Sequence, residues 1–160
     1  MIPPEQAEAA ALLRRLSGAD PLETHISAVF VGRDTAWKLR KAVALGFLDF
    51  TGLAARERFA RRELELNAPH APGLYRDVLP VTRGPEGALA LGGAGAAVEW
   101  VLRMAPLPPE AFLDVVADRG GLTPTLLDAT ADAVAAMHAA LPPLAGQDSP
   151  AAMAAIIAGN

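Results

Sequence analysis

Apolar positions recur at helical spacing over residues 4–17. Ala9, Leu12, Leu13 and Leu16 fall on one side, Arg14 and Arg15 on another, and Gly18 is placed to end the helix. From Leu22 to Val43 the pattern turns to β. "ISAVFV" is a short apolar run, "GRD" at 32–34 a turn, and "TAWKLRKAV" a second strand, so an antiparallel hairpin is expected. Within that strand Ala36, Lys38 and Arg40 alternate with Trp37 and Leu39. Alternate residues share a face, so the apolar pair is expected to receive the following helix and the cations the opposite side.

"LGFLDFTG" reads as an apolar loop with Thr51 as the N-cap of a helix over about 53–68, which Pro69 and Pro72 end. A meander follows: "DVLPVT", turn "RGPEG", "ALAL", turn "GGAGA", "AVEWVLRM". "GGAGA" lacks the Lys-Ser/Thr ending of a phosphate loop and opens no helix, so a hairpin turn is expected there. "APLPPE" is a stiff linker, and "PEAFLDVVADRG" a short helix closed by Gly120 and Gly121. The next helix opens on Thr123 as N-cap with Pro124 at its first position, and carries Leu127, Ala131, Val134, His138 and Leu141 as its stripe. The tail 142–160 begins with Pro-Pro and ends in "AAMAAIIAGN"; there is no internal repeat. Five antiparallel strands with an inserted helix make an α+β arrangement.

Composition narrows the function. The formal charge of −4 and the pI near 5.3 argue against a nucleic-acid partner, which calls for basic excess. There is no cysteine, hence no disulfide or thiolate metal site. His25, His70 and His138 show no metal-ligand spacing. The N-terminus has the wrong charge order for a secretory signal, and no apolar run reaches the ~20 residues of a membrane span. A cytoplasmic protein without a membrane partner is the expectation.

The order of elements brings "TAWK" forward. Its Ala36-Trp37-Lys38 matches the A-x-K core of the kinase lysine strand, where the lysine holds the α- and β-phosphates and pairs with a Glu on the next helix. The longer run "ETHISAVFVGRDTAWKLRKAVALGFLDF", then "RELELN" and "EWVLRM", resembles the N-terminal lobe of a bacterial aminoglycoside phosphotransferase-like family, often fused to a P-loop kinase domain. The likeness covers roughly residues 20–141.

The resemblance implies a protein-kinase-like N-lobe over 1–104, a hinge at 105–109, and the first helices of a C-lobe over 110–160. It makes Lys38 the phosphate-binding lysine and Glu63 its partner, Ala36 the small residue beside the base, Thr24 to Ser27 (with His25) the loop over the phosphates, and the backbone near Met104 the adenine hinge. ATP and Mg²⁺ would be bound and the γ-phosphate passed to a small-molecule hydroxyl acceptor. "ETHIS" has no glycine, however, and neither the catalytic-loop Asp nor the Mg²⁺-binding Asp of such enzymes is found. The chain therefore reads as the ATP-binding part of a longer enzyme whose metal ligands lie elsewhere. The rival is a non-catalytic nucleotide-sensing or protein-interaction module. The apolar helix 123–141 and the tail would offer a surface for aggregation or dimerisation.

Plainer readings stand beside these. Lys38 fits a solvated strand lysine. Glu57, Arg61 and Glu65 form an i, i+4 ladder that suits surface stabilisation and leaves Glu63 the better partner for Lys38. The arginines of 56–62, interleaved with glutamates, fit a solvated helix face. His138 fits a half-buried histidine, and His25 a turn residue.

Overall fold

Two helices compete for the faces of the sheet, and their apolar content decides which takes which. The computed structural model describes residues 1–143, 146 and 149–159. The chain divides into two compact units, 1–109 and 110–160. The first opens with a 3₁₀ turn (Pro4–Gln6) that runs into α1 (Ala7–Ser17). Gly18 closes α1 at φ +72°, its N–H donating to the Arg14 carbonyl at 2.9 Å. That left-handed conformation is why a glycine stands there.

The strands are β1 (Leu22–Glu23), β2 (Ser27–Val31), β3 (Ala36–Arg40), β4 (Ala44–Leu45), β5 (Leu48–Asp49), β6 (Tyr75–Arg83), β7 (Leu89–Leu91) and β8 (Ala96–Met104). Helix α2 (Leu53–Asn67) lies between β5 and β6. Six strands form one antiparallel sheet in the order β1-β2-β3-β8-β6-β7, and β4 pairs with β5 as a separate ribbon. The expected five strands thus become six. The addition is the two-residue edge strand β1, too short for its own periodicity, and the apolar loop "LGFLDF" holds the ribbon. At the turn into β8 a Cβ on Gly95 would lie 2.1 Å from the Arg83 carbonyl oxygen, so only glycine lets the strands meet.

One sheet face meets α1. Ala9, Ala10, Leu12 and Leu13 pack on Ala28, Phe30, Leu39, Val81 and Val101, with Trp37 against them. The other face meets α2, where Ala60 and Leu64 pack on Val78, Leu102, Trp100, Tyr75 and Met104. This corrects the expected side of the second helix: Trp37 and Leu39 face α1, and α2 takes the side of the cations. The reason lies in composition. Helix α1 has an unbroken apolar stripe for the apolar face, whereas α2 brings glutamate and arginine to strands that carry Lys38 and Arg40. Leu16 is exposed in α1, and Ala10 is buried in its stead.

Thr51 is not the cap of α2. Gly52 is, and Thr51 donates its N–H (2.8 Å) and hydroxyl (2.6 Å) to Asp49 Oδ1. Those bonds, the hydroxyl's first and then the amide's, hold the Asp49 carboxyl below its ordinary range.

The second unit holds α3 (Leu113–Asp118), α4 (Pro124–Ala140) and α5 (Ser149–Gly159), in which no residue is buried. Thr123 caps α4 as expected, its Oγ1 accepting from Leu126 N at 3.2 Å, with Pro124 at the first position. The least exposed side of α4 carries Leu126, Thr130 and Met137; Leu127, Val134 and His138 are exposed, so His138 is not half-buried. Among the described residues no helix is long and apolar enough to cross a membrane.

Candidate functional site

Strand β3 presents Lys38 and Arg40 on one face, two residues apart, and both reach the same acid on α2. Lys38 Nζ donates to Glu63 Oε1 at 2.7 Å, and Arg40 Nη2 donates to Glu63 Oε2 at 2.7 Å. The three side chains are largely withdrawn from water, with 27% exposure for Lys38, 11% for Arg40 and 15% for Glu63. Glu65 instead pairs on the surface with Arg62 at 2.8 Å, and Arg61 with Glu57 at 2.9 Å, so the ladder is only half formed. Around the triad lie Ala60, Trp100 and Leu102, enclosing a cavity of about 10 Å³. That is room for one water at most. Tyr75 stands nearby, its phenol pushed above the usual 10.0 by burial and then by the negative charge of Glu63.

The register places the other candidates. Ser27 lies opposite Arg40, Val29 opposite Lys38, and Val31 opposite Ala36. Across the other edge of β3, Ala36 lies opposite Met104 and Lys38 opposite Leu102. Directly opposed residues share a face, so Ser27, Ala36, Lys38 and Met104 all belong to the α2 side. Val29, Val31 and Met104 are half-buried there. Met104 ends a strand that is paired on both sides. Beyond it, Pro106, Pro108 and Pro109 lack an N–H, and the Ala105 N–H already donates to the Leu74 carbonyl at 2.8 Å. Among the described residues, this leaves Leu107 as the one in 105–109 whose amide has no such bond.

The loop between β1 and β2 is closed on itself. Thr24 N–H donates to the Ser27 carbonyl at 2.8 Å, and Ser27 N–H donates to Thr24 Oγ1 at 3.1 Å. Lys41, almost wholly buried, ties the loop down, donating to the Thr24 carbonyl at 2.6 Å and pairing with Glu23 at 2.7 Å. His25 is exposed and lines an open cleft of about 550 Å³ with Thr24, Ile26, Val43, Leu45 and Phe47. That cleft and the cavity at Glu63 share no lining residue.

No family model, curated protein or solved structure matches the chain.

One part of the geometry has no sequence motif. Glu99, 2% exposed, sits where β8 and β3 part beyond the Leu39–Val101 pair. It accepts from Arg56 Nε at 2.8 Å, from Gln6 Nε2 at 2.7 Å and from Trp100 N–H at 2.9 Å. Gln6 also donates to the Arg40 carbonyl at 2.9 Å and accepts from Ala42 N–H at 2.7 Å. Arg56 Nη1 donates to the carbonyls of Phe50 (2.8 Å) and Thr51 (2.7 Å). This corrects the reading of Arg56 as part of a solvated face. Because Arg56 and Glu63 are two turns apart on α2, they share its sheet-facing side. Fixing Arg56 therefore fixes the angle at which Glu63 meets Lys38.

Among the described residues no group of three or more His, Cys, Asp or Glu side chains is arranged to hold a metal.

Proposed function

We propose that residues 1–109 are the nucleotide-binding lobe of an ATP-dependent phosphotransferase of the aminoglycoside phosphotransferase-like kind, with a protein-kinase-like fold. The observation that carries this reading is the 2.7 Å contact between Lys38 and Glu63, a strand lysine held by an acid of the next long helix. In this reading Lys38 neutralises the phosphates and Glu63 aims it. Charge-assisted contacts of this kind are among the stronger polar interactions. The cavity at the pair is too small for a purine, so this reading puts the base further along the same face, beside Ala36, Val29, Val31 and Met104. Mg²⁺ accompanying the phosphates would spread their charge, and the acceptor would be a small-molecule hydroxyl.

A second reading keeps the nucleotide and drops the transfer. It is a sensing or interaction module that keeps the lobe without the phosphotransfer chemistry.

The test is calorimetric titration of ATP–Mg²⁺ into the chain and its Lys38→Met variant. Binding that disappears in the variant, with unfolding unchanged, supports the proposal; equal affinity in both sinks it. Chemistry offers a second arm, because Lys38 and Lys41 are the chain's two lysines. An acyl phosphate of ATP should acylate Lys38 and spare the buried Lys41, and free ATP should protect Lys38. Phosphotransfer to a hydroxyl acceptor separates the enzyme from the module.

A further inference from the structure

Glu63 offers two carboxylate oxygens, and a different cation holds each. The two cations differ in freedom. Lys38 keeps about a quarter of its side chain in water at the end of a flexible stem. Arg40 is gripped: its guanidinium carbon lies 4.7 Å from the centre of the Phe50 ring and 6.0 Å from that of Phe59, and Nη2 also donates to the Phe59 carbonyl at 3.4 Å. The two rings meet edge-on at 5.1 Å. A planar guanidinium can lie against such rings while bonding a carboxylate, which an ammonium cannot do as well. Arg40 Nε is buried with no partner among the described residues, a cost borne where the rest of the group is firmly placed.

Resting on the nucleotide reading above, we infer that Arg40 is the positioning residue of the site. It holds one oxygen of Glu63, so the other stays aimed at Lys38 while the lysine reaches a phosphate oxygen. The triad holds two positive groups and one negative, so the acid keeps a full counter-charge even as Lys38 shares its own with the phosphates. Were Arg40 absent, Glu63 would be a mostly buried carboxylate whose position rests on the more mobile Lys38 alone. Arg40 thus fixes the group that aims Lys38 without touching the ligand itself.

The experiment is a pair of double-mutant cycles over wild type, Arg40→Met, Glu63→Gln and the double variant, with Arg40→Lys added. ATP–Mg²⁺ affinity is measured well below the melting temperature, and unfolding free energy separately. Arg40→Met is expected to weaken binding by roughly tenfold or more although Lys38 and Glu63 remain, with a non-additive coupling to Glu63. Arg40→Lys should recover part of the loss, and in the Glu63→Gln background Arg40→Met should change affinity little. A purely structural Arg40 would lower stability and leave the affinity of the folded protein unchanged. Binding lost in Lys38→Met but kept in Arg40→Met overturns this inference alone. No binding by the wild type, with Arg40 and Glu63 still coupled in stability, overturns the nucleotide reading beneath it.

Discussion

Arg56 and Glu99 meet at 2.8 Å with side-chain exposures of 7% and 2%, making this the most buried ion pair of the sheet and its helices. Burying two charges is costly unless their remaining hydrogen-bonding capacity is met. Here most of it is: Glu99 takes Gln6 and the Trp100 amide, and Arg56 takes two carbonyls of the segment leading into α2. Glu99→Ala leaves the Arg56 charge buried without its partner. It should cost about 3–5 kcal/mol in urea unfolding, the range for breaking a buried pair from one side. A loss below about 1 kcal/mol would place the pair among solvent-screened surface bridges, contrary to its burial.

Gln6 reaches the same carboxylate from the other face of the sheet. Its amide joins Glu99, the Arg40 carbonyl and the Ala42 N–H, so Gln6→Ala strands the buried Ala42 N–H and takes one donor each from Glu99 and the Arg40 carbonyl. The expected loss is about 1–3 kcal/mol per unsatisfied group. Gln6→Glu should be worse than Gln6→Ala, since it sets a second carboxylate against Glu99. Denaturant unfolding of the two variants under identical conditions gives their order, and the reverse order would contradict the network.

How legible these features were in the sequence depended on whether their cause was local. The β2–β3 hairpin, the Gly18 stop and the Thr123 cap follow from short-range sterics and hydrogen bonding, and all are found. The contact of Lys38 with Glu63 was readable only through the family resemblance, with the helix ladder setting Glu63 ahead of Glu65, because strand alternation by itself sent the helix to the other face. Gln6, Arg56 and Glu99 were not. They come from three distant segments, and only the parting of β3 from β8 makes room for one carboxylate between two helices. Arg56 looks like its neighbours Arg58, Arg61 and Arg62 on paper. The face taken by α2 was misread for a related reason: strand alternation gives two faces but does not say which helix arrives at which.

Tyr75 is the chain's single tyrosine, so its phenolate absorbance reads one site. Burial and the Glu63 carboxylate both disfavour the charged phenolate, burial more strongly, and the group titrates above the usual 10.0. Because the folded value exceeds the unfolded one, this group's contribution to stability is fully present below pH 10.0 and is lost as pH rises through the folded value. Glu63→Gln removes the electrostatic cause and leaves burial. The variant's Tyr75 should therefore ionise at lower pH than the wild type's, yet still above a free tyrosine. Coincident titration curves for the two proteins would mean that Glu63 does not act on Tyr75.

Glu23 makes the opposite case at low pH. Hydrogen bonding to Lys41, and then to the N-terminal ammonium, holds its carboxyl below the usual 4.5. The folded value lies under the unfolded one, so the tie stabilises the fold above pH 4.5 and is lost as pH falls through the folded value. The tie matters locally, because Lys41 also carries the Thr24 carbonyl and so holds the loop between β1 and β2. On acidification that loop should loosen before the sheet does. Hydrogen exchange at the Thr24 and Ser27 amides, both bonded within the loop, should accelerate relative to the central strand residues Leu39 and Val101 as pH drops below 4.5, after correction for intrinsic rates. In Glu23→Gln the acceleration should be present already at neutral pH and change little with acid. Exchange that stayed equally pH-dependent in the variant would assign the acid response to another carboxylate.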